Sequence, residues 1–489
     1  MPAMPSTIDN RELAELVELL RDLIRIRSVN PPGDEILAAR FLEQALAEVG
    51  VPATVVEPFP GRGSIVARLH GDGTGGEPLL LLSHLDVVPA DPSGWTHDPF
   101  GGDLADGYVW GRGAIDMKSM VAMEVQVLRR LARAARTAGR DPATDAIPGL
   151  TRDVIFCSSA DEEAGGWHGA DWLVNEHPDW LRAAAALNEA GGMAMTYGGV
   201  RFYPIQTAEK GFAVYRIHVH GKSGHGSVPT ADNAAVLASQ IVTRLAEPGA
   251  PRLTAAVAAS IARAVPHLTA QAAAAFVRLA SQTVGRASGP EAESEPAIAT
   301  PTSPDDRAIE ATIRKLCDPV LARTISAVIR DTVSVGILQA GVKYNVIPGS
   351  AEIEIDCRTL PGTDEPAMRA ELRRRMGEDL WARVEVECLQ AGKAVEAPID
   401  GTMYPLLERV VRRHDPGGVP MPYLAPFATD AKHLSRIGVP TYGFSPLQLG
   451  GAYGFLGLLH ADDERVSVDA LRWGLPVLWD AVTEFCGRG

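Results

Sequence analysis

Thiol chemistry has little foothold in this sequence. Its five cysteines, at 157, 317, 357, 388 and 486, are scattered and odd in number, and no two form a CxxC pair. That set argues against a disulfide scaffold and against a thiolate zinc site. Cys157 lies in an apolar run and reads as a buried thiol rather than a reactive one. No uninterrupted apolar run reaches the ~20 residues that a membrane helix needs. A basic region followed by an apolar stretch and a cleavage site is also missing at the N-terminus, so no signal peptide is expected and the expected compartment is cytoplasmic. Positive charge is in deficit: 46 Lys and Arg against 61 Asp and Glu leave a net charge of −15. Such a surface repels phosphate backbones, which argues against nucleic-acid partners.

What is present is the balance of a globular protein, 46% hydrophobic and 22% charged over 489 residues. That length implies two or three domains. Residues 9–28 carry leucines and an isoleucine at helical spacing, and a second helical pattern stops at Gly50. Short apolar runs at Ser64–Leu69, Leu79–Leu82, Val154–Cys157 and Ala183–Leu187 then alternate with helices. The expected fold class is α/β, a mainly parallel sheet with helices on both faces. After about Gln206 the pattern changes to strand, helix, two strands, helix, strand, the order of a small α+β sandwich. The expected organisation is a catalytic domain over 1–206 and 399–489, interrupted by an inserted α+β lid domain over 207–398. Within the lid, about 250–330 reads as an Ala-rich helical insertion, broken by a polar, Pro-rich loop from about Gly285 to Asp306.

Four places in the larger domain share one layout, an apolar strand running into metal-ligand residue types. Leu79–Ser83 leads to His84 and Asp86, and the stretch from Trp110 ends in Asp116 before a helix. Val154–Ala160 leads to Asp161, Glu162 and Glu163, and Ala183–Leu187 leads to Glu189. In open α/β sheets ligands bind at the carboxyl ends of strands, so these ends are expected to converge. His460 offers a second imidazole near the C-terminus. A lone strand-end acid more often caps a helix or meets solvent. Two imidazoles and three carboxylates together suit two zinc ions with one carboxylate bridging. Asp86, two residues beyond His84, is placed to hold the imidazole N–H. Of the adjacent Glu162 and Glu163, one can bind metal while the other accepts a proton from water.

Taken together, Ser83-His84-Leu85-Asp86-Val87-Val88-Pro89, Trp95 to Phe100, Gly111 to Lys118 and Asp161-Glu162-Glu163 resemble the signatures of one family. It is the di-zinc family of aminoacylases, carboxypeptidases G and S, carnosine-type dipeptidases, acetylornithine deacetylase and succinyl-diaminopimelate desuccinylase, and the likeness spans nearly the whole chain. The resemblance implies a metallohydrolase that cleaves the amide bond of an N-acyl amino acid or short peptide through a di-zinc-activated water. His84, Glu189 and His460 would be terminal ligands, Asp116 the bridge, Glu163 the remaining ligand and Glu162 the general base. Asp86 would orient an imidazole, and His225, in Gly221 to Ser227, would polarise the scissile carbonyl. Asn345, Arg358, Gly450 and Gly451 would bind substrate. The resemblance also implies a cis bond between Asp116 and Met117 and a homodimer through the lid. Zinc is the default metal, with cobalt or manganese as alternatives.

Simpler readings stand beside these. Asn345 before Val-Ile-Pro could close a hairpin, and Arg358 beside Asp356 could be a sheet-edge ion pair. His97, His168, His218, His220 and His433 read as structural. Glu189 stands where many relatives use Asp, and Met120 where small residues are commoner. A catalytically silent, ligand-binding relative is the alternative function, although such proteins lose ligands or the base and here all six positions are filled.

Overall fold

The structure is a computed structural model that describes residues 7–283, 311, 313–315, 319–449 and 457–487. The expected 285–306 loop, Gly450 and Gly451 lie outside the described residues. The chain divides into two units, one of Met1–Thr207, Ala397–Tyr423 and Thr429–Gly489, the other of Ala208–Glu396 and Leu424–Ala428.

In the first unit, apolar runs too short for helices become strands buried on both faces. Leu79–His84 is buried at every position and pairs in parallel with Val154–Ser159 on one side and Ala185–Asn188 on the other. Thr441–Gly443 extends the parallel centre beyond Ala185–Asn188. Antiparallel strands form the margins: Ala53–Phe59 and Arg62–Leu69 at one side, Val200–Glu209 at the other. The period of two sorts side chains between two cores. Leu79, Leu81, Val154 and Phe156 point to one, where helices Asn10–Arg25, Lys118–Thr137, Met403–His414 and Val468–Cys486 supply Leu16, Leu20, Val121, Leu128, Leu407 and Leu478. Leu80, Leu82, Ile155 and Cys157 point to the other, against Leu173, Val174, Leu181 and Leu434 from three short helices. The fold is mixed α/β, with a mainly parallel central sheet flanked by helices. Because the central strands are parallel, His84, Ser159 and Asn188 end at the same edge, and the residues that follow them emerge together.

Helix ends are closed by side chains. Asp9 accepts the Glu12 N–H at the start of Asn10–Arg25. At its far end the buried Lys118 ammonium donates to the Leu23 and Ile26 carbonyls, 2.9 Å each, satisfying groups that a helix terminus leaves free. Among the described residues no helix is long and apolar enough to cross a membrane, and Cys157, Cys357, Cys388 and Cys486 are free thiols.

The second unit has a four-stranded antiparallel sheet ordered Thr332–Ala340, Ser350–Thr359, Gly211–His220, Val384–Gly392. Ala213, Tyr215, Ile217 and Val219 alternate inward beneath helices Ala234–Ala246 and Glu365–Trp381. The opposite face carries Arg216 and His218 among Glu352, Glu354 and Glu387. Helices Ala255–Ala264, Ala270–Thr283 and Pro319–Val328 belong to a separate small cluster with Leu360 and Leu424.

One buried acid gives the first unit a pH signature. Glu124, inside Lys118–Thr137, is fully buried; Ser83 Oγ donates to its Oε2 at 2.7 Å, and Oε1 has no partner among the described residues. Burial pushes its carboxyl up to about 8, against the Ser83 hydrogen bond. The fold therefore binds this proton more tightly than the unfolded chain does. That contribution to stability is complete below the unfolded value of 4.5 and is lost as pH rises through about 8. Glu124→Gln is expected to remove the loss, stabilising the protein relative to wild type by on the order of 2 kcal/mol above that range and little at pH ~4. Thermal melts of both proteins at the two pH extremes check it, and equal differences at both would refute it.

Candidate metal centre

A strand end and loops that follow strands, together with the turn that carries His460, bring five donor side chains of the first unit to one place. His84, Asp116 and Glu189 form one group and Asp116, Glu163 and His460 a second, with donor atoms within 4.8 Å of one another in each. Asp116 belongs to both. Its Oδ1 lies 3.1 Å from His84 Nε2 and its Oδ2 lies 3.3 Å from His460 Nε2. Glu189 Oε2 is 3.5 Å from His84 Nε2, and Glu163 Oε2 is 3.2 Å from His460 Nε2. The Asp116–Met117 peptide is cis.

Each donor has a local reason for its position. His84 Nδ1 lies 3.0 Å from the Asp86 carbonyl oxygen and 3.5 Å from the Asp86 carboxylate, so Nε2 faces the cluster. The Asp86 carboxylate has firmer partners than the imidazole. It accepts the backbone N–H groups of Glu162 and Glu163, 3.1 Å each, and the Asn30 amide at 2.8 Å. Asp116 sits on a loop with left-handed Gly113 (φ +87°), where an added Cβ would lie 2.8 Å from Val87. Glu464 holds that loop: Oε1 accepts from Ile115 N and Asp116 N at 2.7 and 3.0 Å, and Oε2 accepts from Gly113 N at 3.1 Å. Arg112 completes the tie, donating to Glu464 at 2.8 Å and to the His460 and Ala461 carbonyls at 3.2 and 3.1 Å. The loops of Asp116 and His460 are thereby fastened to each other.

The electrostatics are those of acids crowded with too little positive charge. Burial, reinforced by Glu189, pushes Glu162 well above the usual carboxylate range, with His84 and Lys432 opposing. Burial raises Glu189 to about 8, and it raises Glu163 against the hydrogen bond to His460. Burial acts the same way on Asp116, but its hydrogen bonds to His460 and His84 win and hold it low. The hydrogen bonds of His460 to Asp116 and to Glu163 lift its imidazole to about 10. Glu163 Oε1 is buried with no hydrogen-bond partner among the described residues. A nitrogen-and-oxygen donor set with a shared carboxylate and an orphaned buried oxygen fits divalent cations.

The sequence candidates His225, Asn345 and Arg358 belong to the second unit. In the second unit His225 pairs with Val346 in a two-stranded ladder, and Gly226 N donates to the Asn345 carbonyl at 2.9 Å, so His225 and Asn345 are neighbours. His225 is exposed, its Nδ1 2.7 Å from Ser227 Oγ, while Asn345 Oδ1 is buried without a partner among the described residues. Arg358 is engaged with Asp356, its Nε at 2.9 Å and Nη2 at 3.0 Å from the carboxylate. Of the histidines read as structural, His97 meets Asp103, His168 meets Asp161 and His433 meets the Gly165 carbonyl.

Sequence reasoning passed over Glu464 and Arg112 as functional groups, though each lies four residues from a ligand. Glu464→Gln replaces an acceptor of three backbone N–H groups and a guanidinium with an amide that accepts at one end only. It is expected to cost about 3 kcal/mol and to weaken divalent-cation binding. A thermal melt and a chelator competition measure both, and a variant unchanged in each would remove Glu464 from this role.

Known proteins match along most of the chain. Aminoacylase-1 of Sus scrofa is 26% identical over 463 residues, 92% of this chain and 90% of that one. N-fatty-acyl-amino acid synthase/hydrolase PM20D1 of Xenopus tropicalis is 25% identical over 481 residues, covering 94% and 84%. Among solved structures, the M20 family metallo-carboxypeptidase Sso-CP2 of Sulfolobus solfataricus superposes with a TM-score of 0.64 at 17% identity, covering 98% of this chain and 99% of that chain. The model of peptidase family M20/M25/M40 matches residues 80–484, a span that contains all five clustered donors, and the chain belongs to that family.

Proposed function

We propose that the protein hydrolyses the amide bond of N-acyl amino acids or short peptides, with two divalent cations, zinc in the first instance, held by His84, Asp116, Glu163, Glu189 and His460. The observation that carries this reading is the pair of ligand groups sharing Asp116, with Glu162 adjacent in the chain to one ligand. The relatives' names, aminoacylase and N-fatty-acyl-amino acid synthase/hydrolase, support the substrate class. Bound cations of this kind lower the pKa of water and stabilise developing negative charge on a carbonyl oxygen.

The chain's own residues supply the rest. Burial disfavours the charged form of Glu162, which makes it a strong proton acceptor when ionised. It takes a proton from the attacking water and delivers it to the departing nitrogen. The oxygen bonds to the acyl carbon, the C–N bond breaks, and the acid leaves as carboxylate once its remaining proton passes to the freed amine, which leaves as ammonium. Asp86 holds the Glu162 and Glu163 N–H groups, fixing the acceptor relative to the ligand beside it. No protein nucleophile is required. The silent alternative is not favoured, since neither base nor ligand is lost. His225 as a carbonyl-polarising group, Asn345, Arg358, Gly450 and Gly451 as substrate-binding positions, a lid role for the inserted segment, a homodimer and a cytoplasmic location belong to the same proposal.

Glu162→Gln is expected to retain two cations per chain and lose turnover by about 10³-fold. Metal analysis and initial rates on a panel of N-acyl amino acids and dipeptides provide the readout, and undiminished turnover in the variant would reject the mechanism. His225→Ala is expected to lower kcat by roughly 10²-fold, the usual effect of losing one group that stabilises an oxyanion. Unchanged kcat on the best substrate of the panel would withdraw that role.

A further inference from the structure

Glu162 and Glu163 stand on a loop immediately after a strand, where sheet hydrogen bonding has ended and backbone N–H groups need other acceptors. Three consecutive N–H groups find them in buried carboxylates. Asp161 N donates to Glu35 Oε1 at 3.3 Å, and Glu162 N and Glu163 N donate to the two oxygens of Asp86. Asp161 itself adopts a left-handed conformation (φ +71°). Its carboxylate is gripped by the Arg62 guanidinium, by the Asn30 amide at 3.2 Å, and by His168 through backbone N–H and ring Nδ1, 2.9 Å each.

Arg62 is the hub of this arrangement. Its Nη2 reaches Asp161 and lies 3.0 Å from Glu35 Oε1, while Nη1 donates to Asn30 Oδ1 at 3.2 Å and to the Pro32 carbonyl at 2.6 Å. Asn30 in turn bridges Asp86 and Asp161. Arg62, Glu35 and Asp161 are 7%, 0% and 2% exposed, so these contacts are shielded from water and salt. None of these three side chains lies in either ligand group. A planar fork that meets three side chains and a carbonyl at once is a task for arginine rather than lysine.

We propose that Arg62 is a positioning residue for the hydrolytic centre: through Asp161, Glu35 and Asn30 it sets where the Glu162–Glu163 backbone lies, and so where the base and one ligand point. The inference rests on the function proposed above for those two glutamates. Its reach is selective. Glu163 belongs to the group with Asp116 and His460, whereas His84 and Glu189 are attached to other strand ends. Loss of the fork therefore disturbs the base and the Glu163 group directly, and touches the other group only at second hand, through Asn30 and Asp86 to His84.

The test uses the full-length, metal-loaded protein and two variants. Arg62→Lys keeps the charge and loses the fork. Arg62→Met combined with Asp161→Asn removes the buried ion pair as a unit, so that a folded protein is obtained even if a single buried charge proves intolerable. Both are expected to lower kcat at least tenfold with KM within about threefold, and to raise the dissociation constant of one of the two zinc equivalents at least tenfold in a chelator competition, the other changing less than twofold. Wild-type kcat together with unchanged affinity for both equivalents would overturn the proposal. Equal weakening of both equivalents would also overturn it, because that is what general destabilisation produces. If the wild-type protein hydrolyses none of the panel, the functional reading fails, and the zinc competition still decides whether Arg62 positions the loop.

Discussion

Asp116 gives one carboxylate oxygen to each of two imidazoles, and that shared acid turns five side chains into two ligand groups. Every other donor serves one group. The position of Asp116 is thus the constraint with the widest consequences, and it is fixed from outside the sheet. Glu464 captures three N–H groups of its loop, and Arg112 ties the same loop to the chain around His460. A displacement of a few tenths of an ångström here would be felt at both groups at once, which explains why so much buried charge is committed to one short segment.

Buried carboxylates that accept backbone N–H groups recur around the centre. Glu464 holds the Asp116 loop, Asp86 holds Glu162 and Glu163, and Glu35 takes Asp161 N. Burying such charges is costly, and an apolar replacement often does as well for stability alone. Stability alone does not describe these loops. They lie where parallel strands have ended and where the chain must turn its ligands toward each other, so their amides have no ladder to join. An acid with two oxygens satisfies several amides from one side chain, and the nearby Arg62, Arg112 and Lys118 balance its charge.

The clustered donors were legible in the sequence because chemistry and position agreed there. A run such as Leu79–Ser83 reads as a buried parallel strand, and a histidine at its end differs from one in a helix. The same logic found Glu163 and Glu189, and the parallel register supplies the convergence that the logic presumed. Alternation along Phe212–His220 was equally readable, since every second residue there faces a core. What the sequence hid is non-local. Asn30 meets Asp161 across 131 positions and Arg112 meets Glu464 across 352, and nothing in the local pattern of either end announces the other. Val200–Glu209 was missed for a different reason: ten residues containing Pro204, Gln206 and two charged residues do not resemble a strand, yet most of it is buried. Arg358 was legible only as a choice, and the structure records its contact with Asp356.

The charge balance beneath the glutamate loop also explains why three acids tolerate so few cations. Glu35, Asp86 and Asp161 lie within one hydrogen-bonded network around a single guanidinium. Burial and the proximity of Asp86 push Glu35 up to about 7, while Arg62 pulls it down, so near neutrality it carries only part of a negative charge. Asp86, by contrast, is held low against its burial by His84, Asn30 and backbone N–H donors. The three acids do not compete equally for Arg62. Asp86 draws on the imidazole and on amides, Asp161 draws on the guanidinium, and Glu35 can relax by taking a proton. A network divided in this way keeps its geometry without demanding three full charges in a dry interior, and that lets an ionic scaffold, rather than an apolar one, stand under the residues proposed to move the proton.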